Sequence, residues 1–299
     1  MQLLIYCLVY PILWGISKLP WRLFYMFSTG IYILMYYIVR YRRKTVTENL
    51  TLVFPEKSQK EIKSISKKTY KHMSDMFLEM IKSISISSEE MKDRFKITNL
   101  DMLKRLEDEN KSIIVMMGHY ASYEWTNVVD LISKFGCVGI YKPIENKYFD
   151  RLAHRIRARF GSRVIANRIA YKEMIKDLND NRLSLYGLFS DQSPKATTSK
   201  YWTNFMGVRV PAFTGGEVLS KRLGLSIFYL NVEKVNRGYY EASLIPISED
   251  PKNTEDHVIT RRFLDLLEKQ IHNKPENYLW THKRWKHRNA DIPKGAIIG

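Results

Sequence analysis

Short apolar segments alternate with helical ones through the middle of this chain, and that alternation constrains its fold most. Four apolar runs have the length and composition of buried strands: 112–117, 137–141, 163–166 and 183–189. Strands that alternate with helices are typical of a largely parallel sheet covered by helices. The sequence therefore predicts an α/β fold, a single domain with a largely parallel or mixed sheet flanked by helices.

The regions on either side of these strands fit the same fold. Residues 47–86 are predicted to be helical, with a break at Phe54-Pro55. Residues 225–234 and 239–247 read as two long strands joined through Asn236-Arg237-Gly238, a turn signal typical of a hairpin. A last helix is predicted over residues 255–272.

The first 39 residues are unusual in carrying almost no charge. Residues 1–17 and 23–39 carry none, and Lys18, Pro20 and Arg22 separate the two runs into two helices. A helix of 17 residues rises about 25 Å, which is short for a hydrocarbon core of about 30 Å. The basic cluster at 40–44 places that end on the cytoplasmic side. We expect membrane-associated helices, and leave open a helix in the interface, a hairpin that dips into the bilayer, or two buried core helices.

The net charge of the chain indicates which classes of partner it can bind. The chain has 48 Lys and Arg against 31 Asp and Glu, a formal net charge of +17. Such a surface suits nucleic acid, an anionic membrane, a phosphorylated lipid or an acidic carrier protein. With two cysteines, the chain offers neither a disulfide framework nor a cysteine-rich metal site.

Polar side chains follow two of the predicted strands at the point where each strand ends. His119 and Glu124 come after the strand that ends at Met117, and Asp191 and Gln192 come after the strand that ends at Phe189. Reactive groups in open α/β sheets lie at the carboxyl ends of strands. A histidine there can act as a general base, and Glu124 can fold back onto it if a helix begins near residue 123. We therefore expect His119 and Glu124 to be a catalytic pair.

Five motifs occur in an order that resembles the late acyltransferases of lipid A biosynthesis, the lauroyl/myristoyl transferase family. They span most of the chain, and the most specific is the C-terminal Tyr-x-Trp-x-His-x-Arg run. The motifs are Gly118-His119-x4-Glu124-Trp125, Tyr141-Lys142-Pro143, Phe189-Ser190-Asp191-Gln192, Asn204-Phe205-Met206-Gly207, and the run from Tyr278 to Arg288.

The resemblance implies transfer of a fatty acyl chain from an acyl thioester to a hydroxyl of a lipid A precursor, a phosphorylated glycolipid. The donor would be acyl carrier protein, with acyl-CoA left open, and no cofactor or metal is expected. It implies His119 as general base and Glu124 as the carboxylate that orients it, without a covalent enzyme intermediate. The enzyme would work on the cytoplasmic side of the bacterial inner membrane.

The resemblance also implies further site residues and a division of the chain. Substrate binding is expected from Arg157, Arg159, Arg168, Asp191 and Gln192, with Asp191 positioning one of the arginines. Residues 1–44 would be the membrane anchor with its basic cytoplasmic flank, and residues 45–299 the acyltransferase domain.

Other functions fit parts of the sequence. Phe205-Met206 and Lys142 depart from the usual family residues, which leaves acyl length and acceptor open, including an amino-acid lipid or a glycophospholipid. A non-catalytic lipid-binding protein is a second alternative. Residues 282–288 are rich in basic side chains around Trp285 and could bind single-stranded nucleic acid. The uncharged N-terminal runs argue against that last reading, so no nucleic-acid partner is expected.

Overall fold

A computed structural model describes residues 2–299 of the protein. Its helices are α1 (Gln2–Lys18), α2 (Trp21–Ile33), α3 (Arg43–Val53), α4 (Gln59–Lys82), α5 (Ser88–Arg94), α6 (Leu100–Asp108), α7 (Lys147–Arg157), α8 (Ala170–Asn179), α9 (Gly215–Leu223) and α10 (Val258–Asn273). Its strands are β1 (Phe95–Ile97), β2 (Ile113–Met117), β3 (Gly136–Tyr141), β4 (Arg163–Ala166), β5 (Ser184–Phe189), β6 (Tyr201–Phe205), β7 (Val208–Pro211), β8 (Ser226–Asn236), β9 (Tyr239–Ser248) and β10 (Ile297–Ile298).

The main sheet has seven strands in the order β1-β9-β8-β2-β5-β3-β4. All neighbours are parallel except the β8–β9 hairpin. The predicted α/β fold with a mixed, mostly parallel sheet is therefore confirmed. A second sheet, β10-β6-β7, was not anticipated, because its strands are short and their polar residues give no clear alternation.

Strands β3 and β5 separate at their carboxyl ends. Their pairing ends at Gly139 and Gly187, although the strands run on to Tyr141 and Phe189. On its other side, Gly187 pairs with Val115 of the central strand β2. The divergence opens a crevice beside the end of β2, the usual place for a site in an open α/β sheet.

The helix expected from Tyr123 is a 3-10 helix, Tyr123–Leu131. Thr126, Val128 and Val129 are β-branched, and such residues lower the propensity for an α-helix. The tighter 3-10 winding runs across the carboxyl end of the sheet, close to the crevice.

The N-terminal helices pack against the body of the protein through α4. Ser28 donates to Asp75 at 2.6 Å, and Tyr25 donates to Glu79 at 3.0 Å. Arg237, at the tip of the β8–β9 hairpin, reaches both Asp75 (2.6 Å) and the carbonyl of Tyr25 (3.1 Å). We call this set the anchor junction.

The surface of these helices away from the junction is apolar and exposed. Large apolar side chains with at least 40% exposure include Leu3, Leu4, Leu8, Ile12, Leu23, Met26, Ile38 and Val39. Within residues 2–299, none of the helices taken singly has the length and hydropathy to cross a membrane. One bent pair, Trp21–Ile38 with Arg43–Val53, would pass by length and composition. The division of the chain at residue 44 stays a prediction.

Candidate active site

His119 lies two residues beyond the end of β2. Gly118 precedes it, and a Cβ at that position would lie 2.6 Å from Cδ1 of Leu267 on α10, so a larger residue would force the Leu267 side chain to move. The backbone N–H of Leu279 donates to the His119 carbonyl at 3.1 Å. Tyr120 forms a β-bridge with Tyr278. The C-terminal segment therefore fixes the backbone that carries the histidine.

The carboxylate of Asp191 holds the imidazole of His119. Asp191 Oδ1 lies 2.7 Å from His119 Nδ1, and Oδ2 accepts the backbone N–H of His119 at 3.0 Å. Asp191 is 2% exposed. An ionised carboxylate only accepts hydrogen bonds, so Nδ1 carries the proton and Nε2 presents a lone pair. The side-chain amide nitrogen of Gln192 lies 3.3 Å from Nε2.

The electrostatics of this pair suit a base. Burial disfavours the charged imidazole, but the adjacent Asp191 carboxylate outweighs it and raises the pKa of His119 above its ordinary value. For Asp191, burial opposes the charge and the hydrogen bonds from His119 outweigh burial, so the pKa of this carboxyl lies below its usual range. His119 is thus a stronger base than a free imidazole, and Asp191 is ionised.

Glu124 is paired with Arg157 and not with His119. Its two oxygens accept from Arg157 Nη2 at 2.7 Å and Nε at 3.0 Å, a bidentate geometry. Two expectations were therefore wrong. Glu124 contacts Arg157 where a contact with His119 was expected, and Asp191 holds His119 where a contact with an arginine was expected. The reason lies in the register of the sheet: Met117 and Phe189 are paired on adjacent parallel strands, so the residues two positions beyond each, His119 and Asp191, face one another.

The other expected site residues lie in three different settings. Arg159 donates through two nitrogens to the carbonyls of Ile84 and Ile86, both at 2.7 Å, and joins the end of α7 to the loop after α4. This geometry gives Arg159 a structural contact, and its expected role in substrate binding stays a prediction. Arg168 is exposed, next to the cavity-lining Asn167. Gln192 lies at the reactive nitrogen of His119.

Two aromatic rings, which the sequence analysis did not single out, flank the imidazole. The ring centroid of Phe189 lies 4.6 Å from that of His119, and Tyr123 meets His119 edge-on at 5.1 Å. Phe189 is the first residue of the Phe189-Ser190-Asp191-Gln192 motif, and Tyr123 is one of the four unspecified residues between His119 and Glu124, but neither ring had a predicted role. The rings pack against the imidazole, while Asp191 occupies Nδ1 and Gln192 lies at Nε2.

His119, Glu124 and Arg157 line a cavity of about 630 Å³. The cavity extends from this polar end across one face of the sheet. Apolar or small residues from five neighbouring strands form its floor: Val115, Met117, Gly139, Gly187, Leu230 and Leu244. A polar end joined to a long apolar floor can hold a fatty chain with its carbonyl beside the histidine.

Two residues of the basic C-terminal run, Arg284 and Trp285, are part of the core. Trp285 is 1% exposed, stacks on Phe205 and Trp280, and donates to the Phe205 carbonyl at 3.1 Å. Arg284 is 1% exposed and donates to the carbonyl of Pro211 at 3.1 Å. Buried Trp285 cannot stack on a nucleic-acid base, whereas Lys283, Lys286 and Arg288 are exposed. The absence of a nucleic-acid partner stays a prediction.

Comparison with known proteins identifies the family of this chain. The model of the bacterial lipid A biosynthesis acyltransferase family matches residues 1–287. The chain is 24% identical over 289 residues to the lipid A biosynthesis lauroyltransferase of Escherichia coli K12, covering 94% of this chain and 91% of that protein. It is 23% identical to the lipid A biosynthesis palmitoleoyltransferase of the same strain (93% and 89% covered). It is 21% identical to the myristoyltransferase (82% and 76%). The chain belongs to the bacterial lipid A biosynthesis acyltransferase family, and it is an acyltransferase.

Proposed function

We propose that this enzyme transfers a fatty acyl chain from the thioester of an acyl carrier protein to a hydroxyl of a lipid A precursor. The observation that carries the proposal is the state of His119. Its Nδ1 is bound to the buried Asp191 and its Nε2 has a lone pair beside a cavity with an apolar floor. A base next to a chain-shaped apolar cavity suits acyl transfer to an alcohol.

The proposed reaction is a direct transfer. Nε2 of His119 takes the proton of the acceptor hydroxyl while its oxygen forms a bond with the thioester carbonyl carbon. The tetrahedral intermediate then breaks its C–S bond, and the leaving thiolate takes the proton back from the imidazolium. The products are an ester and a free thiol, and Asp191 stabilises the imidazolium between the two proton transfers.

Arg157 is proposed to hold an oxygen of the substrates. Its pair with Glu124 uses Nε and Nη2, which leaves Nη1 for a phosphate or for the carbonyl oxygen as charge develops on it. Burial opposes the guanidinium charge, but Glu124 outweighs burial and raises the pKa of Arg157, so this cation is permanent. Glu124 is then a positioning residue for Arg157.

The floor of the cavity is proposed to hold the acyl chain. Gly139 and Gly187 are register partners on adjacent strands, so their missing side chains leave one continuous space against the sheet. A Cβ at Gly187 would meet Cε of Met117 at 3.4 Å and the carbonyl oxygen of Val138 at 4.0 Å, both ordinary contacts, so a side chain there would fit and would occupy the path of the acyl chain. The related enzymes carry lauroyl, palmitoleoyl and myristoyl in their names, which suits a floor whose residues set the chain length.

The charge and the exposed apolar surface of the protein support the proposed donor and location. The formal charge of +17 favours an acidic carrier protein over a neutral partner. Arg151 and Arg155 are exposed on one face of α7, near the polar end of the cavity. The exposed apolar surface of α1 and α2 adjoins the basic cluster 40–44, which suits attachment to the cytoplasmic face of a bacterial inner membrane.

Mass spectrometry of lipid A and of total lipids tests this proposal. Cells that lack the protein should accumulate a lipid A species lighter by one acyl chain, and wild type but not His119→Ala should restore it. An acyl group missing from another polar lipid would keep the chemistry and change the acceptor. Unchanged lipids, or full restoration by His119→Ala, would contradict the proposal.

A further inference from the structure

A second apolar cavity lies on the opposite side of the His119-bearing segment. It has a volume of about 490 Å³ and is formed by α2, the turn that follows it, α4 and residues 279–282. We call it the rear groove. The apolar residues that line it include Ile31, Met35, Phe77, Leu78, Ile81 and Leu279.

The rear groove is continuous with the exposed apolar surface of the N-terminal helices. Phe77, at its rim, is 45% exposed, and Ile38 and Val39, which follow Met35 in the chain, are 70% and 56% exposed. The groove and the surface beside it are both apolar, so their contact with water is unfavourable. Lipid chains therefore fill the groove more favourably than water does.

One side of the rear groove is cationic. Arg42 lines it, and Arg40 and Arg43 are its neighbours in the chain. Within residues 2–299, none of these three arginines forms an ion pair with a carboxylate. Nη1 of Arg42 donates a hydrogen bond to the Thr281 carbonyl oxygen at 3.1 Å. The remaining donors of Arg42 suit a phosphate oxygen next to an apolar chain.

A neutral polar wall completes the groove. Ser74 and His282 line it, and both Ser74 Oγ and His282 Nδ1 are buried without a hydrogen-bond partner in the described structure. Burial lowers the pKa of His282 to about 4, so its imidazole is neutral at physiological pH. This wall is therefore neutral, and Arg42 supplies the positive charge of the groove.

The rear groove is separate from the place of reaction. Residues 279–282 stand between the two cavities, and the Leu279 N–H bonds the His119 backbone from the rear. The reactive Nε2 faces Gln192 and the first cavity. A lipid in the rear groove therefore does not present its hydroxyl to His119, which favours a lipid of the bilayer over the acceptor.

We propose that the rear groove binds one acyl chain of an anionic glycerophospholipid whose phosphate is held by Arg42. The bound lipid attaches the enzyme to the membrane and supports the segment behind His119. This site goes beyond the proposed acyl transfer, because binding needs neither donor nor turnover.

Native mass spectrometry of the full chain tests the proposal. Protein carrying His119→Ala, which removes turnover from the measurement, is transferred from mixed nanodiscs of dioleoyl phosphatidylglycerol and dioleoyl phosphatidylcholine. We expect each protein chain to retain one phosphatidylglycerol, with about a five-fold preference over phosphatidylcholine. A single basic side chain near the headgroup favours an anionic lipid by about this factor. Absence of a retained lipid, or equal retention of the two lipids, would overturn the proposal.

Two variants locate the lipid. Ile81→Trp fills the rear groove and should abolish retention, whereas Met80→Trp, one residue away and outside the groove, should not. Equal retention by these variants would overturn the location. If Ile81→Trp does not fold, Arg42→Gln decides instead: it should remove the preference for phosphatidylglycerol, and Arg42→Lys should restore most of it.

A third measurement separates the bilayer lipid from the acceptor. When a bis-phosphorylated glycolipid precursor is added at the same concentration, phosphatidylglycerol should remain bound. Displacement by the precursor would overturn the assignment to a bilayer lipid. Because none of these measurements involves acyl transfer, their failure would leave the lipid A complementation result unaffected.

Discussion

Two regions of this enzyme each bury a pair of carboxylates, and the pairs do different things. At the cavity, Asp191 holds His119 and Glu124 holds Arg157. At the anchor junction, Asp75 binds Arg237 and Glu79 accepts from Tyr25 at 3.0 Å and Tyr240 at 2.8 Å. All four carboxylates are buried or nearly so, and buried carboxylates need such partners wherever they occur.

The difference lies in what the partner does with its other atoms. Nε2 of His119 and the outer face of Arg157 open onto a cavity, whereas Tyr25, Tyr240 and Arg237 join α2 and the hairpin to α4. Burial raises the pKa of Glu79, with no cation strong enough to reverse it, while His119 lowers the pKa of Asp191. A buried charge indicates chemistry only where its partner still has an atom free to meet a substrate.

The largest effect should come from Asp191→Asn. An amide cannot stabilise the imidazolium and favours the wrong tautomer, so we expect turnover with an acyl carrier protein donor to fall about 10³- to 10⁴-fold. Glu79→Gln is the matched control, a neutralised carboxylate at the anchor junction, and should retain turnover within about three-fold, as groups outside the reaction do. Similar losses in the two variants would erase the distinction between the regions.

Arg237→Met should mainly affect stability. It removes the bidentate partner of the buried Asp75, which keeps Lys234 at 3.6 Å and Ser28 at 2.6 Å, so the loss should lie near the lower end of the about 3–5 kcal/mol for breaking a buried pair. Arg157→Met should cost less stability, because Glu124 lies at an open cavity and can be hydrated, but it should lose more turnover. Thermal unfolding in detergent together with initial rates measures both. A larger loss of stability for Arg157→Met would reverse this ranking.

The smallest effect should come from Gly187→Val, which places a side chain on the floor of the cavity. We expect the ratio of kcat/KM for a 12-carbon over a 16-carbon donor to rise about ten-fold, the equivalent of two buried methylenes. Gly136→Val on β3 lies outside the cavity and should leave the ratio unchanged. An unchanged ratio for Gly187→Val would remove the acyl chain from this floor.

Much of the fold could be predicted because the strands of the main sheet are continuous apolar runs. The four runs from 112–117 to 183–189 and the 225–247 hairpin all correspond to strands β2–β5, β8 and β9. The short second sheet and the 3-10 form of Tyr123–Leu131 could not be predicted, because neither leaves a periodic apolar pattern. The burial of Asp75 and Glu79, four residues apart on α4, comes from tertiary contacts that helical periodicity alone does not show.

Sequence position indicated which side chains lie near one another, but not which of them make contact. Position after a strand singled out His119 and Glu124 at the end of one strand and Asp191 at the end of another. Which carboxylate meets the imidazole depends on strand order, and β5 lies beside β2 although about 70 residues separate them in sequence. The equal offset of His119 and Asp191 from the paired strand ends was the available signal, but it is informative only when the pairing is known.

The pH dependence of kcat/KM for Asp191→Asn and Glu124→Gln tests the central claim most directly. His119 must be neutral to act as a base, so the rate falls as the pH drops through its pKa, which lies above the ordinary imidazole value in the wild type. Loss of the Asp191 charge lowers that pKa, so the acid limb of Asp191→Asn should move to lower pH, and the limb of Glu124→Gln should move less. A larger displacement in Glu124→Gln would show that Glu124, and not Asp191, is the carboxylate that orients His119.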